Sequence, residues 1–154
     1  MYAMRVSRRV NAPRPAVYRA LLDASAIATW RVPDGMTCQV HEFEPREGGA
    51  FRISLSYDDP SGTGKSGAHT DTYHGRFTRL VPDEQVVEVS EFETTDAALR
   101  STMTITTTLT DAEGGGTDVL IAHEGIPDAV PVADNELGTR MSLDKLAALV
   151  ETGL

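Results

Sequence analysis

Four histidines, one cysteine, and scattered serines and carboxylates hold whatever chemistry this chain could perform, and spacing excludes most of it. His41, His69, His74 and His123 have no ligand-like intervals among them. The lone Cys38 supplies neither an internal disulfide nor a thiolate metal pair. His123-Glu124 lacks the second histidine of a zinc-protease helix and falls in a stretch that reads as strand. Asp58-Asp59 has no calcium-loop pattern. Gly64-Lys65-Ser66 ends like a phosphate-binding loop, but Asp59 stands where the first glycine should be and a strand, not a helix, follows. Ser54, Ser56 and Ser90 sit in strand patterns with no nucleophile elbow around them. No metal and no cofactor are expected, and spacing singles out no catalytic residue.

His123 is the residue of most interest. It alternates with Val119 and Ile121, which turns it inward. Two readings stay open: a core histidine satisfied by a carbonyl or buried water, or a polar contact or acid–base group in an apolar cavity. Glu91 and Glu93 share the face of Val87 and Val89 if alternation holds, so one could be an inward carboxylate with a raised pKa. A bulge or register shift would put both in solvent. Convergence of Glu91, Glu93 and His123 is left undecided by the pattern. Trp30, Phe43, Tyr73, Phe77, Phe92 and Met141 are the candidate apolar lining.

These residues need elements to position them. Residues 4–10 alternate loosely as a first strand, and Asn11-Ala12-Pro13 ends it. Pro13 and Pro15 suit a first helical turn, and Val17, Tyr18, Leu21 and Leu22 repeat at helical spacing after them. Residues 23–30 read as a second short helix. From Met36 the period becomes two, with Cys38, Val40 and Glu42 opposed to His41 and Phe43. Phe51, Ile53, Leu55 and Tyr57 define the next strand. A polar, Gly-rich loop over 58–68 follows, longer than a hairpin needs. Strands over 72–80, 86–92, 103–109 and 119–123 come next, with Tyr73, Gly75 and Phe77 on one face.

The long helix over 134–152 organises the rest. Leu143, Leu146, Ala147 and Val150 form its apolar stripe, and Leu137, Met141 and Ala148 are expected to widen it. Gly138 and Ser142 are small residues one turn apart, marking either tight packing on a strand or room for a bound molecule. Successive strands joined by short turns, plus one long helix, give an α+β domain with an antiparallel meander.

The 154 residues are most simply one domain, 1–154. A formal charge of −9 argues against nucleic-acid binding and against stable association with anionic membranes, although Arg5, Arg8 and Arg9 cluster near the start. The first ten residues lack a signal-peptide core and no apolar run approaches ~18 residues, so a cytoplasmic location is expected. A homodimer or a protein partner stays compatible with this composition.

The order of elements and the residues at their joints resemble the START-like, or SRPBCC, superfamily, whose helix-grip fold wraps a curved antiparallel sheet around a long C-terminal helix. Within it the chain is most similar to the branch named for the activator of the 90-kDa heat-shock-protein ATPase, widespread as small bacterial proteins. The resemblance rests on Val10-Asn11-Ala12-Pro13 leading to Val17-Tyr18-Arg19-Ala20-Leu21, then Trp30, Gly48-Gly49-Ala50-Phe51 and Gly75-Arg76-Phe77. Gly115-Gly116-Thr117, His123-Glu124-Gly125 and Gly138 with Leu143, Leu146 and Glu151 complete it. Arg31 and Thr139 depart from it, standing where many relatives have tryptophan. The resemblance implies a cavity between sheet and helix that binds a hydrophobic or aromatic small molecule. Trp30, Phe43, Tyr73, Phe77, Phe92, His123 and Met141 are then its expected lining. Two alternatives carry over from the superfamily: a cyclase-, aromatase- or dehydratase-like enzyme acting on such a ligand, and a co-chaperone-like protein-binding module.

Overall fold

A computed structural model describes residues 1–59 and 69–152. The Gly64-Lys65-Ser66 motif and most of the 58–68 loop lie outside those residues. The order is β1 (Tyr2–Val10), α1 (Arg14–Leu21), α2 (Ala24–Trp30), β2 (Met36–Phe43), β3 (Ala50–Tyr57), β4 (Thr70–Val81) and β5 (Gln85–Phe92). A 3-10 turn (Ala97–Leu99), β6 (Met103–Asp111), β7 (Thr117–Ile126) and α3 (Val132–Thr152) complete it. The strands form one seven-stranded antiparallel sheet in the order β1-β7-β6-β5-β4-β3-β2. This is the expected helix-grip architecture, with α3 against the concave side.

The short helices start as their sequences dictate. Pro15 lies in the first turn of α1, where a missing amide costs little, and the Pro13 carbonyl accepts from Ala16 and Val17 at 3.0 and 3.2 Å. Asp23 caps α2, accepting from the amides of Ser25 and Ala26 at 2.9 and 3.1 Å. Trp30 closes the pair: its indole Nε1 donates to the Ala20 carbonyl at 2.9 Å, tying the end of α2 to α1.

The helix α3 begins at Val132, two residues earlier than its acidic first turn suggests. Leu143, Leu146 and Ala147 are sealed against the sheet, and burying each leucine contributes about 1.5–3 kcal/mol. Leu137, Met141 and Ala148 do not widen that stripe: Met141 lies about 160° round the helix from Leu143, at ~100° per residue, and is only half-buried. Leu137 is 54% exposed and Ala148 is exposed as well, because both fall on the solvent side of the helix. Gly138 packs not on a strand but on a loop: a Cβ there would meet Pro33 Cγ at 3.3 Å. Two turns further on, Lys145 donates to the Val32 carbonyl at 2.7 Å and pairs with Asp34 at 3.0 Å. The α2–β2 connection is therefore clamped along α3.

Register decides which side chains face α3. A row runs across the sheet through Met4, His123, Ile105, Glu88 and Phe77, all cross-strand neighbours on the concave face. A bulge at His41 corrects one alternation: Val40 pairs with Ile53 and Phe43 with Phe51, so Phe43 joins the face of Val40 while Glu42 turns out. Gly75 has no room for a side chain, since a Cβ would lie 2.0 Å from the Val89 carbonyl oxygen on the neighbouring strand.

Candidate functional site

The concave face divides into two halves. Under the C-terminal half of α3, Val6, Val10, Val119, Leu143 and Leu146 are closed to solvent. Toward the start of α3 the inward-facing Tyr73, Phe92, Ile105 and His123 remain only half-buried. In that second half the polar groups gather.

Arg31 ends α2, with its amide bonded to the Ile27 carbonyl at 2.9 Å, and its side chain turns into the grip. Its Nη1 donates to Glu88 Oε1 at 2.7 Å, with the two side chains 18% and 6% exposed. The same guanidinium lies 5.8 Å from the centroid of the Tyr73 ring, a cation–π contact. Burial works against the Arg31 charge, but the neighbouring Glu88 carboxylate pushes its pKa above the ordinary value. Burial raises Tyr73 to about 12, against the opposing pull of Arg31. Burial also lowers His123 to about 4, helped by the positive charge of Arg31, so the imidazole is neutral at pH 7. Cys38 is held protonated by burial, which outweighs Arg31.

His123 stands two strands from Glu88, about 9.5 Å away at ~4.8 Å per strand, with Ile105 between them. Its Nε2 is buried with no hydrogen-bond partner, and so is the side-chain amide nitrogen of Asn135 in the first turns of α3. A buried unsatisfied group of this kind costs about 1–3 kcal/mol, so each marks a place where a partner would be welcome.

The expected lining residues thus separate. Tyr73 and Phe92 pair across β4 and β5, and His123 shares their face. Phe43 meets Phe77 edge-on at 5.5 Å, and Phe77, 1% exposed, is closed in by Phe43 and Phe51. Trp30 is 3% exposed and braces the short helices. Met141 is half-buried on α3.

Glu91 and Glu93 do share the face of Val87 and Val89, but that face is the convex one, because Val86, Glu88 and Ser90 are the buried set. There, Arg52 forks onto Glu93 at 2.8 and 2.9 Å, and His74 sits 3.0 Å from both Glu91 and Glu93. Hydrogen bonding from Arg52 above all, with His74, brings Glu93 down to about 2 despite partial burial. His123 and these two glutamates therefore lie on opposite sides of the sheet. A hollow of about 420 Å³ bordered by Glu42, Arg52, His74 and Arg76 overlies this outer network.

Arg31 and Glu88 were the residues that pattern alone missed. Valines at 86, 87 and 89 put β-branched residues on both faces of β5, so alternation there did not say which side was buried. Among the described residues, no three His, Cys, Asp or Glu side chains gather as metal ligands, and no helix is long and apolar enough to cross a membrane.

An antiparallel sheet closed over one long helix defines a helix-grip protein of the START-like superfamily. The chain belongs to the family of activator of Hsp90 ATPase homolog 1-like proteins, which it matches over residues 11–151. It is similar to protein CV1439 of Chromobacterium violaceum at 38% identity and a TM-score of 0.85, over 97% of this chain and 96% of that one. A protein from Rhodobacter sphaeroides shares the fold at 18% identity, with a TM-score of 0.80 over 99% and 93% of the two chains. DynU16, from the dynemicin biosynthetic locus, shares it at 20% identity and a TM-score of 0.68, over 98% of this chain and 48% of the larger one. Comparison with curated proteins returns no match. The family is built on a ligand-binding fold.

Proposed function

We propose that this protein binds a hydrophobic or aromatic small molecule between the sheet and the first half of α3. One observation carries the reading: Tyr73, Phe92, Ile105 and His123 face inward yet stay half-buried, while the apolar residues under the rest of α3 are sealed. Apolar surface left partly wet inside a fold gains about 25 cal/mol per Å² when a ligand covers it.

Proton-transfer catalysis on such a ligand is the second reading, favoured by the gathering of Arg31, Glu88, Tyr73 and His123. It is the weaker of the two. A histidine near 4 and a tyrosine near 12 are both far from neutrality, where a general base or acid works best. A chaperone-docking role, which the family's name suggests, calls for a contiguous exposed apolar patch. The large apolar side chains exposed among the described residues are Met1, Val132 and Leu137.

The test is a methyl-resolved NMR titration with naphthalene. The methyl groups of Ile105 should shift, and those of Val10 and Val150 should not. Ile105→Phe, which fills the open half, should weaken binding at least tenfold while the protein stays folded. Shifts that are absent, or confined to the convex face, would overturn the reading.

A further inference from the structure

The inward stripe of α3 changes character along its length. Over its second half it is Leu143, Leu146, Ala147 and Val150; over its first half the positions in line with it or flanking it are Asn135, Glu136, Thr139 and Ser142. Thr139 spends its hydroxyl on the Asn135 carbonyl at 2.9 Å and Glu136 pairs with Arg140 at 3.0 Å, which leaves Asn135 and Ser142; of these, the Asn135 amide nitrogen is buried without a partner.

Two contacts place that side chain along the sheet. Arg8 bonds Asp144 at 2.8 Å, and the Asn11 amide donates to Glu151 at 2.8 Å, so α3 and β1 run in the same direction and in step. From Asp144 back to Asn135 is about 13 Å at ~1.5 Å per residue. From Arg8 back to Met4 is about 14 Å at ~3.4 Å per residue. Asn135 therefore lies level with Met4, whose cross-strand neighbour is His123. The two buried polar nitrogens without partners, His123 Nε2 and Asn135 Nδ2, are on the floor and the roof of the same end of the grip.

Arg31 and Glu88 in this space are matched to each other. Arg31 is held by Glu88, so neither is free to neutralise an ion brought in by a ligand. A carboxylate or an amine would be stripped of water with no counter-ion of its own, which is expensive.

We propose that the interior selects an uncharged molecule with an apolar body and one hydrogen-bonding oxygen, a hydroxyl or a carbonyl, seated between His123 Nε2 and Asn135 Nδ2. A hydroxyl accepts from the Asn135 amide and donates to the imidazole; a carbonyl accepts from both when the imidazole carries its proton on Nε2. This deepens the binding reading above and rests on it.

Three probes of one shape test it: naphthalene, 2-naphthol and 2-naphthoate, titrated by calorimetry into the full chain. 2-Naphthol should bind about tenfold more tightly than naphthalene, the sum of two modest hydrogen bonds. 2-Naphthoate should bind more weakly than 2-naphthol by at least tenfold. In the unmodified protein, the His123 ring ¹⁵N resonances should move with 2-naphthol and stay put with naphthalene. His123→Phe and Asn135→Ala should each narrow the gap between 2-naphthol and naphthalene to threefold or less. Equal binding of naphthol and naphthalene, or preference for naphthoate, would overturn the oxygen site while the apolar cavity stands. Failure of all three probes to bind would instead remove the cavity reading itself.

Discussion

Arg31 and Glu88 meet at 2.7 Å inside the grip, one from the end of α2 and the other from the middle strand of the sheet. The pair crosses the interior and does not line a surface, so its two halves depend on each other. With Glu88 only 6% exposed, water cannot replace a missing guanidinium.

Arg31→Met or Glu88→Leu alone should therefore destabilise the fold by about 3–5 kcal/mol, because each strands a buried partner. The double variant Arg31→Met/Glu88→Leu should recover most of that loss, as apolar replacements of buried ion pairs commonly do. Urea denaturation of the four proteins checks the coupling, and simply additive losses would contradict it.

Acid should weaken the protein in two stages. His123 titrates near 4 in the folded state against an ordinary 6.5, so the unfolded chain takes up its proton first as pH falls. The effect is absent above about 6.5 and complete below about 4, on the order of 3 kcal/mol at ~1.4 kcal/mol per pKa unit. Glu93, lowered to about 2 from 4.5, adds a second loss as pH falls through its folded value, reduced by its exposure. Urea midpoints between pH 7 and 4 should fall steeply for the unmodified protein and nearly level out for His123→Phe.

Two leucines on one helix should respond in opposite ways. Leu146→Ala removes a fully buried side chain and should cost about 2–5 kcal/mol. Leu137→Ala, on the solvent side, should change stability by no more than about 0.5 kcal/mol. Thermal melts of both variants distinguish the faces of α3.

Gly75→Ala should be far more damaging than its one added methyl suggests. The new Cβ would sit 2.0 Å from a backbone oxygen of β5, which cannot move without breaking the β4–β5 pairing. We expect a loss of about 3 kcal/mol and, in hydrogen exchange, faster opening of β4 and β5 than of β1 and β7.

Periodicity was enough to read the architecture because most elements obey a single period. The stripe of Leu143, Leu146, Ala147 and Val150, and the alternation of Met103 through Leu109, could each be read in one way only. Where a local irregularity intervened, the reading slipped. The bulge at His41 adds one residue to β2 and turns Phe43 to the other face, and no residue type there announces it. At Leu137 the apolar side chain simply lies off the stripe. The site was harder still: Arg31 stood out only as a charged residue where relatives have tryptophan, and its partner Glu88 lies far away in sequence. Asn135 reads as an ordinary first-turn polar residue until the level of α3 against β1 is known.

The contact between Gly138 and Pro33 has a use beyond packing. A methyl group at 138 would press on Pro33 Cγ at 3.3 Å, close enough to demand a shift of a few tenths of an ångström and no more. Position 138 works as a shim between the helix and the loop that carries Arg31. Thickening it by one carbon would press Pro33, and the loop that follows Arg31, off the front of α3 by a few tenths of an ångström. The seat of the buried Arg31–Glu88 pair can thus be adjusted from outside the interior, at one residue.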